Sequence, residues 1–133
     1  MQSETRAAIE ASVTGSDNGT MTFPQVVGKL IQAGVERYHT DLQRAEKTFY
    51  LPDGESVVVR TKAVAGSVVP NFDAGGVEAA VRTIQRGEID YLEFCERIAR
   101  AGCASYIVSM SGRRAVYYGR TGEIFVEPFP QAA

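Results

Sequence analysis

The chain has 133 residues, of which 44% are hydrophobic and 23% are charged, a composition that is ordinary for one globular domain. Residues 1–66 and 67–133 each carry seven basic and eight acidic side chains. This even balance gives no support for a nucleic-acid or membrane partner, and no run of eighteen apolar residues predicts a membrane span.

The cysteine content and the opening residues favour a reducing compartment. Residues 1–15 lack the basic stretch and apolar core of a secretory signal. Cys95 and Cys103 are too few for a disulfide framework, and the sequence has no ligand spacing typical of a metal site. We therefore expect a cytoplasmic protein with no metal, no cofactor and no membrane partner.

Two helices are predicted at the start of each half of the chain. Thr22–Gln25 and Asp90–Glu93 both have the pattern of a capping box, in which two residues satisfy each other's free amides. Gly34 and Gly102 predict the ends of the second helices, because the residue after a helix often needs positive φ. The first helices are indicated by the apolar pairs Ile9, Val13 and Val77, Val81.

Three strands are predicted after each helix pair. Tyr38 and Tyr106 fall on the alternating face that we expect beneath the helices. Residues 63–72 form a linker between the halves. The predicted strands are 35–42, 47–51 and 56–62 in the first half, and 103–110, 114–119 and 124–127 in the second.

The two halves repeat each other at an offset of 68 residues. Residues 3–65 align with 71–133 without a gap, with 12 identities in 63 positions, mostly glycines, aromatics and apolar residues. Such self-similarity indicates a duplicated unit. The sequence predicts an α+β fold in one domain, 1–133. In it, two α-α-β-β-β repeats are related by pseudo-twofold symmetry, and helices cover one side of antiparallel strands that form one curved sheet or two three-stranded sheets.

Several phrases resemble a known family. "MTFPQVVGKLIQAGVERYHTDL", "TFYLPDGES" and "YLEFCERIARAGCASYIVSMSGRRAVYYGRTGE" are similar to the YdfO-like bacterial family, a domain of unknown function sometimes labelled phage envelope protein. The resemblance covers roughly residues 20–130. It implies a small α+β fold and a bacterial or prophage setting, and it provides no catalytic or binding residues to carry over.

His39 and Asp41 are the first candidates for chemistry. His39 is the only histidine, and its position two residues from Asp41 puts an imidazole and a carboxylate on one strand face, as a base and its orienting group require. The alternative is a histidine without catalytic duty. The equivalent positions in the second half hold Ile107 and Ser109, which favours that alternative, so no catalytic residue is predicted.

Tyrosines and arginines supply the candidate binding residues. The tyrosines that occupy matching positions in the two halves are either core residues or, with His39, the lining of a ligand cleft between the halves. The cysteines are interpreted as core residues, with a redox pair as the alternative. The arginines near the predicted strands of the second half form either a basic hairpin tip that binds an anionic partner or a solvent-exposed surface of mixed charge. These candidates are Tyr38, Tyr50, Tyr106 and Tyr118 for the ligand, and Arg113, Arg114 and Arg120 for the interaction surface.

A duplicated scaffold without converging polar groups favours binding over catalysis. The sequence therefore predicts an interaction or accessory module of bacterial or prophage origin, with a protein partner or a homo-oligomer. The alternatives are a small-ligand binder using the tyrosine cleft and an enzyme using His39 and Asp41. Nucleic-acid binding has little support, because the arginines are interspersed with acidic residues.

Overall fold

The computed structural model describes residues 1–130 as four helices and six strands. The end of the second predicted repeat, residues 131–133, lies outside the described residues. In chain order the elements are α1 (Ser3–Asp17), α2 (Phe23–Gln32), β1 (Arg37–Asp41), β2 (Glu46–Tyr50), β3 (Ser56–Arg60), α3 (Ala74–Gln85), α4 (Tyr91–Arg100), β4 (Cys103–Ser109), β5 (Arg114–Gly119) and β6 (Ile124–Pro128).

The six strands form one antiparallel sheet in the order β3-β2-β1-β4-β5-β6. Of the two arrangements left open by the sequence, the single sheet is therefore the observed one. Within each half, hairpins join the three consecutive strands. The two halves meet in the middle of the sheet, where β1 pairs with β4 and His39 lies opposite Ile107. The predicted α+β class and antiparallel pairing are confirmed.

The helices bury one face of this sheet. Along β1, β2 and β5 buried residues alternate with half-buried or exposed ones, as the period of two in a strand dictates, and β4 follows this pattern after a register irregularity between Cys103 and Ser105. Tyr38 and Tyr106 lie on the buried face, as predicted. The core joins side chains from all four helices with those of this face, including Ile9, Leu30, Phe49, Val77, Ile98 and Val108.

The helix ends are mostly as predicted, with one correction. Thr22 and Gln25 form a full capping box, with Gln25 Oε1 accepting from the Thr22 amide at 2.8 Å. Asp90 accepts from the Glu93 amide at 2.9 Å, but Glu93 does not return the bond. The predicted second capping box is therefore wrong in its reciprocal half, because the Glu93 carboxylate instead binds Arg97, one turn along α4, at 2.5 Å.

Residues with positive φ mark the turns. Gly34 (φ 83°) and Gly102 (φ 86°) both have the predicted left-handed conformation directly after α2 and α4. Ala45 (φ 55°) and Arg113 (φ 53°) have it in the β1–β2 and β4–β5 turns, although neither is glycine. No helix within residues 1–130 is both long and apolar enough to cross a bilayer.

Candidate functional site

The face of the sheet opposite the helices is a broad surface, which we call the open face. Strand register aligns its side chains into three rows that run across all six strands. The central row is largely apolar, and in spatial order it holds Val58, Thr48, His39, Ile107, Val116 and Val126. Val58 is 56% exposed and Val126 is 39% exposed, so large apolar groups face solvent on this side.

Charges flank the central row unequally. One flank, the basic row, carries Arg37 and Arg114 and no acidic residue, in the order Ser56, Tyr50, Arg37, Ser109, Arg114 and Pro128. The other flank, the acidic row, carries Asp41 and Glu46 with one arginine, in the order Arg60, Glu46, Asp41, Ser105, Tyr118 and Ile124. Arg37 also pairs with Glu36 and lies over the Tyr50 ring, and Glu46 pairs with Arg44. The open face is thus largely apolar in the middle, with more basic groups on one flank and more acidic groups on the other.

His39 and Asp41 share the open face but do not form a catalytic pair in this geometry. His39 is half-buried in the central row between Thr48 and Ile107. Asp41 Oδ1 accepts hydrogen bonds from the amides of Gln43 and Arg44, both at 3.0 Å. The carboxylate therefore stabilises the β1–β2 turn, and among the described residues it makes no hydrogen bond with the imidazole.

The four candidate tyrosines do not converge on one cleft. Tyr38 and Tyr106 are buried beneath the helices, with ring centroids 6.5 Å apart. Tyr50 and Tyr118 lie on the open face, in the basic and acidic rows respectively. The alternation of β1, β2, β4 and β5 puts the two pairs on opposite sides of the sheet.

The three candidate arginines are also separated by the fold. Arg113 lies in the β4–β5 turn, with Cζ 5.8 Å from the Phe129 ring centroid. Arg114 starts β5 and Arg120 follows its end, where Arg120 donates to the carbonyl of Val68 at 3.4 Å. The predicted hairpin tip is therefore formed by Arg113 and Arg114 alone, because the whole of β5 separates them from Arg120.

Sequence reasoning missed a buried lysine beneath the helices. Lys47 is only 3% exposed, and its Nζ lies 4.3 Å from the ring centroid of Tyr91 and 5.6 Å from that of Tyr38. No carboxylate among residues 1–130 lies within 4.0 Å of this Nζ. Burial lowers the pKa of the Lys47 amine to about 8. The alternation of "EKTFY", which puts Lys47 on the same face as Phe49, was the signal that could have revealed it.

Other polar groups surround Lys47 in what we call the lysine cluster, formed with Tyr38, Thr40, Tyr91, Cys95 and Tyr106. The hydroxyls of Tyr91 and Tyr106 are hydrogen-bonded to each other, and burial raises the pKa of both. Within the described residues, the Thr40 hydroxyl is buried without a hydrogen-bond partner. Burial also raises the pKa of the Cys95 thiol to about 11. Apart from Tyr91, which is half-buried at the margin of the core, the groups of this cluster are thus held away from water.

Chemistry at the lysine cluster is limited by access and by protonation. Cys95 and Cys103 are free and buried, and burial raises the pKa of Cys103 to about 12, so neither forms a thiolate readily.

A pocket of about 250 Å³ lies at the end of β1, beside Leu42 and Val68. A second, of about 400 Å³, lies between α1 and the end of α2. Neither pocket is lined by a residue of the lysine cluster.

Comparison with known proteins establishes the family. Residues 20–128 match the family described as Protein of unknown function (DUF1398), a span that includes every strand and the helices α2, α3 and α4. The chain belongs to the DUF1398 family.

Curated relatives come from mycobacteria. Uncharacterized proteins of Mycobacterium bovis and of two strains of Mycobacterium tuberculosis are 29% identical to the chain over 109 residues. The matched segment is 80% of this chain and 66% of each relative. The chain thus matches just under two thirds of the length of these relatives.

Proposed function

We propose that this chain is a protein-interaction module and that the open face is its working surface. The observation that carries the proposal is the central row, which crosses all six strands, is apolar on four of them and is covered by none of the four described helices. Sheets with one face on the core usually present polar side chains on the other, whereas this face presents Val58, Ile107, Val116 and Val126. Contiguous apolar surface with a charged rim is typical of a protein-binding site.

The test is site-specific photo-crosslinking in bacterial cells that express the full chain. A photoreactive amino acid replaces Val126 on the open face, and in a matched control it replaces Ile31, which is 51% exposed on α2. We expect discrete protein adducts from position 126 and none above background from position 31. Adducts from position 31 alone would refute the proposed surface.

We also propose that the chain arose by duplication, with repeats 3–65 and 71–133 in one domain related by a pseudo-twofold axis between β1 and β4. The element order α-α-β-β-β, written twice, supports this history. So does the sheet order, which is symmetrical about the β1–β4 pair. Positive φ values recur at the same interval of 68 residues, as at Gly34 and Gly102 and at Ala45 and Arg113.

The cellular setting is a further part of the proposal. The resemblance in sequence to the YdfO-like family supports a bacterial or prophage origin, and the two free thiols fit a reducing cytoplasm. Arg114 belongs to the basic row and Arg113 precedes it in the β4–β5 turn, so both would contact the partner at this edge of the open face.

A small ligand at the lysine cluster is the second candidate. The observation that favours it is a buried ammonium without a carboxylate partner, next to the unpaired Thr40 hydroxyl and the predicted ligand residues Tyr38 and Tyr106. An anionic ligand would satisfy both groups. Native mass spectrometry of the purified chain tests this idea: an added mass must be present in the wild type and absent from Lys47→Met. A wild-type mass equal to that of the bare chain removes the candidate.

A further inference from the structure

We propose that the partner of the open face is a second copy of this chain, stacked sheet on sheet about a twofold axis that lies along the central row. This inference rests on the proposed function and adds the identity and orientation of the partner. Rotation about such an axis keeps each strand over its own counterpart and exchanges the two flanking rows. The basic row of one copy then lies over the acidic row of the other.

The charges on the open face complement each other in this orientation. Arg37 and Asp41 are on the same strand in opposite flanking rows, so Arg37 of each copy faces Asp41 of the other. Arg114 faces Tyr118 of the second copy, an arrangement suited to a cation–π contact. Tyr50 faces Glu46, whose carboxylate can accept from the phenol. No arginine faces an arginine and no carboxylate faces a carboxylate.

The apolar groups are matched as well. The central row lies on itself, so that Val58, Ile107, Val116 and Val126 of one copy meet the same residues of the other. Stacked sheets pack about 10 Å apart with strand directions within about 30°, a geometry that this rotation allows.

The size of the open face indicates how strong the association is. Six strands at a spacing of about 4.8 Å, with five residues each at a rise of about 3.3 Å, cover an area of about 29 Å by 17 Å. Standard interfaces bury about 800 Å² of accessible surface per partner. The face, about 490 Å² in projection, is smaller than that standard and falls among weak, transient interfaces, so we expect a dimer that forms at tens of micromolar concentration.

The experiment is sedimentation velocity of the full chain at about 1 and about 100 µM, combined with a double-mutant cycle on Arg37→Gln and Asp41→Asn. The asparagine keeps the side-chain oxygen that accepts from Gln43 and Arg44, so the turn is retained. Arg37 and Asp41 are four residues apart on one strand, so they lie about 13 Å apart within one copy. This distance exceeds the Debye length of about 8 Å at physiological salt. Energetic coupling between them therefore reports a contact between copies.

We expect a dimer at the higher concentration, with dimerisation weakened about 3- to 10-fold by either single substitution. The double variant should be no weaker than the singles, because each single already removes both symmetric ion pairs. Arg60→Gln is the matched control: it removes the same charge from the same face, opposite Ser56 of the second copy, and should change dimerisation less than about twofold.

Two results would overturn the inference. The first is a chain that stays monomeric at 100 µM, because it then lacks self-association of the proposed strength. The second is a double variant in which the effects of Arg37→Gln and Asp41→Asn on dimerisation multiply, because that result excludes the proposed orientation. If the chain is monomeric but position 126 still crosslinks to a different protein, the second copy is wrong and the proposed function stands. If position 126 also gives no adduct, both fail.

Discussion

Lys47 is the residue whose environment departs furthest from what its side chain prefers. An ammonium group surrounded by Tyr91, Tyr38 and the core loses most of its hydration, and the two aromatic faces replace only part of it. We predict that Lys47→Met, which keeps the length of the side chain and removes the charge, raises the free energy of unfolding at pH 7 by about 2–3 kcal/mol. Urea denaturation of both proteins measures the difference.

The pH dependence of that difference separates charge burial from packing. The pKa of Lys47 is about 8 in the folded chain and 10.5 in the reference state, so between these values the unfolded chain binds more protons. The free energy of unfolding of the wild type therefore rises with pH across that window through this group. The amount by which Lys47→Met exceeds it should shrink from pH 7 to pH 10. An advantage that stays constant would show that the methionine acts through packing alone.

Gly34 and Gly102 have the same backbone conformation but different surroundings. A Cβ at Gly34 would have no atom within 4 Å, so Gly34→Ala should cost only the left-handed strain, about 1 kcal/mol. A Cβ at Gly102 would lie 2.2 Å from the carbonyl oxygen of Asn71, so the backbone must move and the cost should reach about 3 kcal/mol or more. Chemical denaturation compares the two variants, and equal costs would contradict this view of the Gly102 site.

At the scale of elements, the hairpin turns have residues that do not suit their conformation. Ala45 has φ 55° in the β1–β2 turn, where an alanine is strained and a glycine is not. We predict that Ala45→Gly stabilises the chain by about 0.5–1 kcal/mol, after allowing for the greater entropy of glycine in the unfolded state. Ala63→Gly, in a loop where φ is not positive, is the control and should be neutral or destabilising. Thermal denaturation of both variants provides the measurement, and stabilisation by both would rule out backbone strain as the cause.

The same elements show how far local sequence reasoning extends. Thr22 and Gln25 formed the predicted box because both partners are close in sequence and free to bond. Glu93 did not, because Arg97 offers it a charged partner one turn away, which a capping pattern does not take into account. Strand alternation correctly assigned Tyr38 and Tyr106 to the buried face. The same alternation also buries Lys47, but a charged residue is rarely expected in a core.

At the scale of the whole molecule, the decisive feature is the pairing of β1 with β4. These strands are 66 residues apart at their starts, Arg37 and Cys103, and no local pattern specifies that they are neighbours or in which register. Without that register, the alignment of Val58, Ile107 and Val126 across the sheet cannot be seen in the sequence. The candidate residues His39, Tyr50 and Arg114 were identified from sequence, but their common place on the open face was not.

The central claim is that this chain associates through the open face, and fluorescence-detected sedimentation of the labelled full chain in bacterial lysate tests it most directly. With the chain at about 100 µM, the wild type should sediment in complexes heavier than the monomer, whether the partner is a second copy or another protein. Val58→Lys/Val126→Lys puts charge into the apolar row without touching the core, and should sediment as a monomer. Ile31→Lys, an equivalent change on α2, should behave as the wild type. Heavy complexes that survive Val58→Lys/Val126→Lys, or that are lost only with Ile31→Lys, would contradict the account.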